Sequence, residues 1–222
     1  KPLRGGGGTR VRDWRGGALA AGTYLQERID GIPCSAAAIA DGTDAVVFGL
    51  TEQLVGRRAF GVRGYRWCGN ITPPRFAHAA FLEQARETCS RLARAFGLRG
   101  LFGVDFIWDG ERAWTLEVNP RPTASLELFD GAADAFAAHL RGELPDIEPS
   151  ARTAGKAVLF ATRDVTITDS ERWRALGVRD VPHPGERIAA GRPICTLLTK
   201  APDPLRALEA QAAQLLEVPA HA

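Results

Sequence analysis

The chain has no apolar run long enough to cross a bilayer. Ala45-Val46-Val47-Phe48 is strand-sized, far short of the ~18 residues that a span needs. Net charge is equally scarce. The 28 Lys and Arg against 26 Asp and Glu leave +2, too little to argue for nucleic acid or a membrane surface as a partner. Cysteine is sparse and scattered: Cys34, Cys68, Cys89 and Cys195 form no C-x-x-C pair, which excludes a disulfide scaffold and predicts reduced thiols in a cytoplasm. No apolar core follows Lys1-Pro2-Leu3-Arg4, so a secretory signal is not expected, and the glycosylation pattern Asn70-Ile71-Thr72 reads as coincidence. What is present is globular. Hydrophobic residues make up 45% of the 222, enough to bury a core in one medium domain plus an appendage.

Gly5-Gly6-Gly7-Gly8 cannot hold a helix or strand and predicts a mobile loop, poorly ordered without a ligand; a segment upstream of it is expected. Tyr24–Ile29 reads as a strand closed by Asp30-Gly31 and Pro33, and Ser35–Ile39 and Ala45–Leu50 as two more joined at Asp41-Gly42. Phe81, Ala85, Cys89, Leu92 and Phe96 recur at helical spacing, so 76–96 is a helix opened by Pro73-Pro74 and stopped by Gly97. Leu101–Trp108 and Ala113–Asn119 form a hairpin around the polar turn Asp109–Arg112. Leu128, Ala132, Phe136 and Leu140 predict a second helix over 124–141. After a Pro-containing break at 142–154, short strands around Ile188 and Ile194 and a closing helix with Asp203 as N-cap and Pro204 at its first position are expected.

Chemistry concentrates in the hairpin. Side chains alternate along a strand, so Glu117 and Asn119 share a face, and an odd-length connection would set Asp105 directly opposite Glu117. Two acids and an amide oxygen together suit Mg²⁺, which keeps waters and shares its shell with phosphates. The same residues also fit a half-exposed strand whose acids are solvated or paired with Arg112 and Arg121. Gly5–Gly8 lets backbone N–H groups approach an anion, with Lys1 as a point charge, although a glycine run also serves as a plain linker. Neither the G-x-x-x-x-G-K-S/T loop nor a G-x-G-x-x-G fingerprint occurs, and His78, His139, His183 and His221 are scattered away from any nucleophile.

Taken in order, Lys1-Pro2, the glycine loop, Tyr24–Gly31, Val104-Asp105-Phe106 and Leu116-Glu117-Val118-Asn119-Pro120-Arg121 resemble the ATP-grasp superfamily over 1–141. Within it the chain is similar to ATP-dependent carboxylate–amine or carboxylate–thiol ligases and carboligases. The resemblance implies an α+β ATP-grasp fold: a remnant of the small lobe and hinge over 1–30, an antiparallel-sheet large lobe with helices over 31–148, and a β-rich C-terminal extension over 149–222. It implies that Lys1 contacts ATP phosphates, that Gly5, Gly6, Gly7 and Gly8 close over the triphosphate, and that Gln26, Glu27, Arg28 and Ile29 form the adenine-reading hinge. Asp105, Glu117 and Asn119 would ligate Mg²⁺, or Mn²⁺ in its place, and Arg121 would face the γ-phosphate and an acyl-phosphate intermediate, with Lys1 and Arg121 as the catalytic cations.

The implied reaction activates a small-molecule carboxylate for attack by an amine, in a cytoplasmic biosynthetic enzyme that has neither a nucleic-acid nor a membrane partner; a homodimer stays open. A nucleotide-binding module without turnover and a biotin-carboxylase-like carboligase are the alternatives. Against the latter, Asn-Pro-Arg runs on into Pro122-Thr123-Ala124-Ser125 rather than Val-Glu-His, and the chain contains no methionine to flank a biotinylated lysine. The family's N-terminal domain and first small-lobe lysine are not in this sequence, and Ile32-Pro33-Cys34-Ser35 offers no ribose-binding acid.

Overall fold

A computed structural model describes residues 1–168 and 170–216, the side chains of Arg172 and Leu216 excepted; His221 lies outside them. In chain order the elements are β1 (Ile32–Asp41), β2 (Ala45–Val55), β3 (Trp67–Thr72), α1 (Ala79–Phe96), β4 (Arg99–Trp108), β5 (Ala113–Asn119), α2 (Ala132–Arg141), β6 (Ala154–Phe160), β7 (Val165–Thr166), α3 (Ser170–Ala175), β8 (Arg187–Ile188), β9 (Pro193–Thr199) and α4 (Pro204–Leu216). They fold into two compact units, each assembled from separated segments. One comprises Lys1–Arg28, Leu54–Gly69 and the chain from Gly155 onward; the other comprises Ile29–Gln53 and Asn70–Ala154.

The second unit carries the antiparallel strands β5-β4-β1-β2-β3. Its centre, β1, is buried from Cys34 to Ala40 because four alanines let both faces be covered closely. On one face α1 lays Phe81, Ala85, Cys89 and Ala93 against Cys34, Ala36, Ala38, Leu50, Val104 and Phe106. Phe102, Val104, Phe106 and Trp108 of β4 all point to that side, so Gly103 and Asp105 point to the other. The other face is capped by Phe129, whose ring meets Phe48 edge-on at 5.7 Å, and by His139, whose Nδ1 accepts a hydrogen bond from the Leu101 N–H at 3.2 Å. Gly97 ends α1 in a left-handed conformation, as the stop signal requires.

In the first unit β6 and β9 pair antiparallel, from Gly155 opposite Thr199 to Leu159 opposite Cys195, with the Trp67–Gly69 end of β3, which belongs to this unit, beside β6. The two apolar runs of the tail thus bury one another. Asp203 caps α4 by accepting from the Arg206 N–H at 3.1 Å. All four cysteines are free and buried, and burial pushes the Cys68 thiol up to about 11 and that of Cys89 to about 12.

Three expectations change. Tyr24–Asp30 is irregular and largely exposed rather than a strand; the ladder there is short, with Pro2 bridging Thr23 and the Tyr24 N–H donating to the Lys1 carbonyl at 2.9 Å. The helix foreseen over 124–141 breaks at Asp130-Gly131, leaving a 3-10 turn (Leu126–Leu128) before α2. Ala135 and Ala138 form the buried stripe of α2, while Phe136 and Leu140 are exposed, because the late start rotates the face. Lastly, the hairpin connection holds four residues, an even number, yet Asp105 still opposes Glu117: a bulge between Asp105 and Phe106 shifts the register so that Phe106 pairs with Thr115.

Gly49 shows how tightly the capped face is filled, since a Cβ there would lie 2.4 Å from the Phe129 ring. Gly49→Val should lower the melting temperature by roughly 5 °C, the cost of overpacking a dense core. In a Phe129→Ala background the same change should cost much less, as thermal melts of the double-mutant cycle will show; strictly additive losses would contradict this packing.

Candidate functional site

The bulge does more than correct the register. It turns Glu117 and Asn119 onto the Asp105 face, while Val118 packs toward α1. Gly103 pairs with Asn119, and a Cβ on Gly103 would meet Thr123 Cγ2 at 2.4 Å. A bare backbone there lets the segment after Asn119 fold back over the sheet, bringing Arg121 with it. Arg121 donates to the Pro122 carbonyl at 3.1 Å and to Asn119 Oδ1 at 3.4 Å. Arg112 instead stacks over the Trp114 ring at 4.1 Å, so neither of these contacts is with Asp105 or Glu117.

Two amides hold Asp105. Gln53 Nε2 donates to Oδ1 at 2.9 Å, and Asn119 Nδ2 donates to Oδ2 at 3.4 Å and reaches Glu117 Oε1 at 3.5 Å. Burial, and then the charge and hydrogen bond of Glu117, push the Asp105 carboxyl up to about 7; the two amides pull it back only in part. The site therefore holds two acids that repel when both are ionised. A divalent cation would relieve that repulsion, and an all-oxygen set of two carboxylates and an amide fits Mg²⁺ sharing its shell with water and phosphate. Among the described residues no group of three or more His, Cys, Asp and Glu gathers as a metal cage.

The polar face continues past Asp105. Ser35 pairs with Asp105 on one side and Thr51 on the other. Ser35 Oγ and Thr51 Oγ1 share a hydrogen bond of 2.7 Å, and Asn70 donates to Thr51 Oγ1 at 2.7 Å. Asn70 is buried, so its glycosylation pattern is not a surface acceptor. Glu52, the next residue of β2, alternates to the opposite face, where it is buried and takes a bidentate contact from Arg75. Ser35, Thr51, Gln53 and Asn70 were not read as site residues in the sequence; their signal, alternate polar positions within apolar strands, needs the strand order to become meaningful.

The other expected residues belong to the first unit, apart from Ile29. Lys1 sits in the short ladder with Tyr24, and Gln26, Glu27 and Arg28 are exposed on irregular chain, with Arg28 3.7 Å from Asp13. The glycine run is partly seated: Gly7 accepts from the Trp67 N–H at 3.0 Å, and a Cβ on Gly8 would lie 1.7 Å from the Tyr65 carbonyl oxygen. Gly6 accepts from the Thr9 N–H at 3.2 Å within the loop itself.

A family model described as an ATP-grasp domain matches residues 1–125, and the chain belongs to that family. Among curated relatives, the formate-dependent phosphoribosylglycinamide formyltransferase of Burkholderia pseudomallei is 36% identical over 95 residues, 41% of this chain and 24% of that protein; its namesake from Oleidesulfovibrio alaskensis is 37% identical over 86 residues, 38% of this chain and 22% of that protein. The chain thus spans about a quarter of the length of these relatives. Of solved structures, N5-carboxyaminoimidazole ribonucleotide synthetase from Thermus thermophilus superposes at a TM-score of 0.58 and 18% identity, over 89% of this chain and 53% of that one. Phosphoribosylamine–glycine ligase from Thermotoga maritima superposes at 0.60 and 17% identity, over 86% and 53%. The fold is that of ATP-grasp proteins, of the α+β class expected, and no helix among the described residues is long and apolar enough to cross a membrane.

The raised Asp105 carboxyl sets a pH dependence. Its folded value lies above its ordinary 3.8, so the native state holds the proton more tightly, and this contribution to stability is present at low pH and lost as pH rises toward about 7. Asp41 and Asp109, both held down to about 2 by hydrogen bonds, act oppositely and at lower pH. Without metal, Asp105→Asn should remove the decline in melting temperature between pH 5 and pH 8 (~3 units) and raise the melting point at the upper end. Melts of wild type and variant in metal-free buffer test this; parallel pH curves would contradict the burial of a repelled carboxylate.

Proposed function

We propose that the chain is part of an ATP- and Mg²⁺-dependent ligase that activates a small-molecule carboxylate as an acyl phosphate for attack by an amine, in cytoplasmic biosynthesis. The observation that carries this reading is the opposed Asp105–Glu117 pair with Asn119 and Arg121 beside it, on a face that the bulge and Gly103 both serve. The relatives' names support it: formate and glycine are carboxylates, and phosphoribosylamine is an amine.

Phosphoryl transfer to a carboxylate brings two anions together, so positioning and charge stabilisation dominate over covalent chemistry. Mg²⁺, or Mn²⁺ in its place, would be held by Asp105, Glu117 and Asn119 and would neutralise charge on the transferring phosphate. Arg121, tethered to Asn119 Oδ1 and the Pro122 carbonyl, supplies the cation at the edge of this group. By the family resemblance, Lys1 would add a positive charge for the phosphates, Gly5, Gly6, Gly7 and Gly8 would close over the triphosphate, and Gln26, Glu27, Arg28 and Ile29 would read the adenine.

Glu117→Gln keeps the shape of the side chain and removes a charge. Losing the outer partner of a metal ligand costs about 10–100-fold, so losing a ligand should cut ATP turnover by more than about 100-fold. Relief from Asp105 should leave the metal-free melting temperature unchanged or raised. ADP release with a panel of amino acids and amines, run beside melts with and without MgATP, is the measurement. A destabilised Glu117→Gln that keeps its turnover would mark a structural acid, and wild-type protein that MgATP does not stabilise would defeat the nucleotide site itself.

A further inference from the structure

Gln53 is not among the residues that the family resemblance singles out, and its geometry is specific. It lies on β2, whereas its partner Asp105 lies on β4, with β1 between them. The amide must therefore cross a whole strand to reach Oδ1. The crossing is open because Ser35, the residue of β1 that pairs with Asp105, carries a short side chain, and that hydroxyl is turned to Thr51 instead. Thr51, Ser35 and Asn70 are joined by hydrogen bonds of 2.7 Å, so the strands beneath the bridge are themselves pinned.

A carboxylate that accepts from one amide is free to swivel about its terminal torsion, which is broad for aspartate. Asp105 accepts from two, on different oxygens and from different strands: Gln53 on Oδ1 and Asn119 on Oδ2. Oδ2 is the oxygen on the Asn119 side, so the hold on Oδ1 decides where Oδ2 points. Asn119 would be drawn away from Asp105 whenever its amide turned to serve another partner, whereas Gln53 takes no part in that group and can hold on throughout.

From this geometry we propose that Gln53 is a positioning residue: by fixing Oδ1 it presents Oδ2 of Asp105, together with Glu117, to a divalent cation bound with nucleotide. The proposal rests on the ligase reading only in so far as that reading puts the cation at Asp105 and Glu117. A partner that orients a metal ligand typically changes metal affinity by about 10–100-fold. A residue that merely satisfies a buried carboxylate would instead change stability and leave metal affinity alone.

Two substitutions separate these cases. Gln53→Leu keeps bulk and loses the donor; Gln53→Asn keeps the amide but is one methylene too short to span β1. Both should raise the Mg²⁺ concentration for half-maximal thermal stabilisation in saturating ATP by about tenfold or more. Turnover at saturating Mg²⁺ should stay within a few-fold of wild type, and Mn²⁺ titrations should show the same weakening. Wild-type metal dependence in either folded variant overturns the role of Gln53 while leaving the ligase reading intact. Wild-type protein that shows no Mg²⁺-dependent stabilisation with ATP overturns the metal site, and the role of Gln53 with it.

Discussion

Two carboxylates set face to face on neighbouring strands repel, and burial of one of them adds to the cost of ionising it. Asp105 and Glu117 stand in that relation, and much of the second unit is arranged around keeping them so. The bulge after Asp105 creates the opposition, Gly103 clears the space for the returning segment, and the amides of Gln53 and Asn119 hold the more buried acid in place. A fold serving only stability would gain by replacing one acid with an apolar residue. An arrangement that retains both is understandable when a cation joins them for part of the working cycle.

The scaffold for this strain is a sheet made of small residues at its centre. The alanines of β1 allow α1 to approach closely on one side, and Phe129 and His139 cap the other. Rigid packing on both faces keeps five strands in register, and the register is what lines up Glu117, Asp105, Ser35 and Thr51 across the sheet. The chain belongs to the ATP-grasp family, while its similarity to formate-dependent phosphoribosylglycinamide formyltransferases covers only about a quarter of their length, 22–24% for two of them.

Much of this was legible in the sequence wherever one residue type had one physical meaning. Gly97 stopping α1, Asp203 and Pro204 starting α4, and the hairpin over 101–119 follow from local chemistry. The grouping of Asp105, Glu117 and Asn119 was readable because strand alternation is strict. Its cause was not, since a bulge leaves no mark in the sequence that distinguishes it from an odd-length turn. The extent of α2 was not legible, because the spacing of Leu128, Ala132, Phe136 and Leu140 over 124–141 hides a break at Asp130-Gly131. Tyr24–Ile29 had strand-like composition, but among the described residues no strand pairs with it to match that local propensity. Gln53 and Ser35 were invisible for a simpler reason: each matters only through a strand distant in sequence.

The central claim is that Asp105 holds a proton near neutral pH because burial and Glu117 disfavour its charge, and that a cation displaces that proton. Titration calorimetry of MgATP binding in buffers of different ionisation enthalpy measures the displaced protons directly. Near pH 7, where the Asp105 carboxyl is pushed up to about 7, binding should release a substantial fraction of a proton, falling to none about two units higher. Tight MgATP binding with no proton release at either pH would contradict the account.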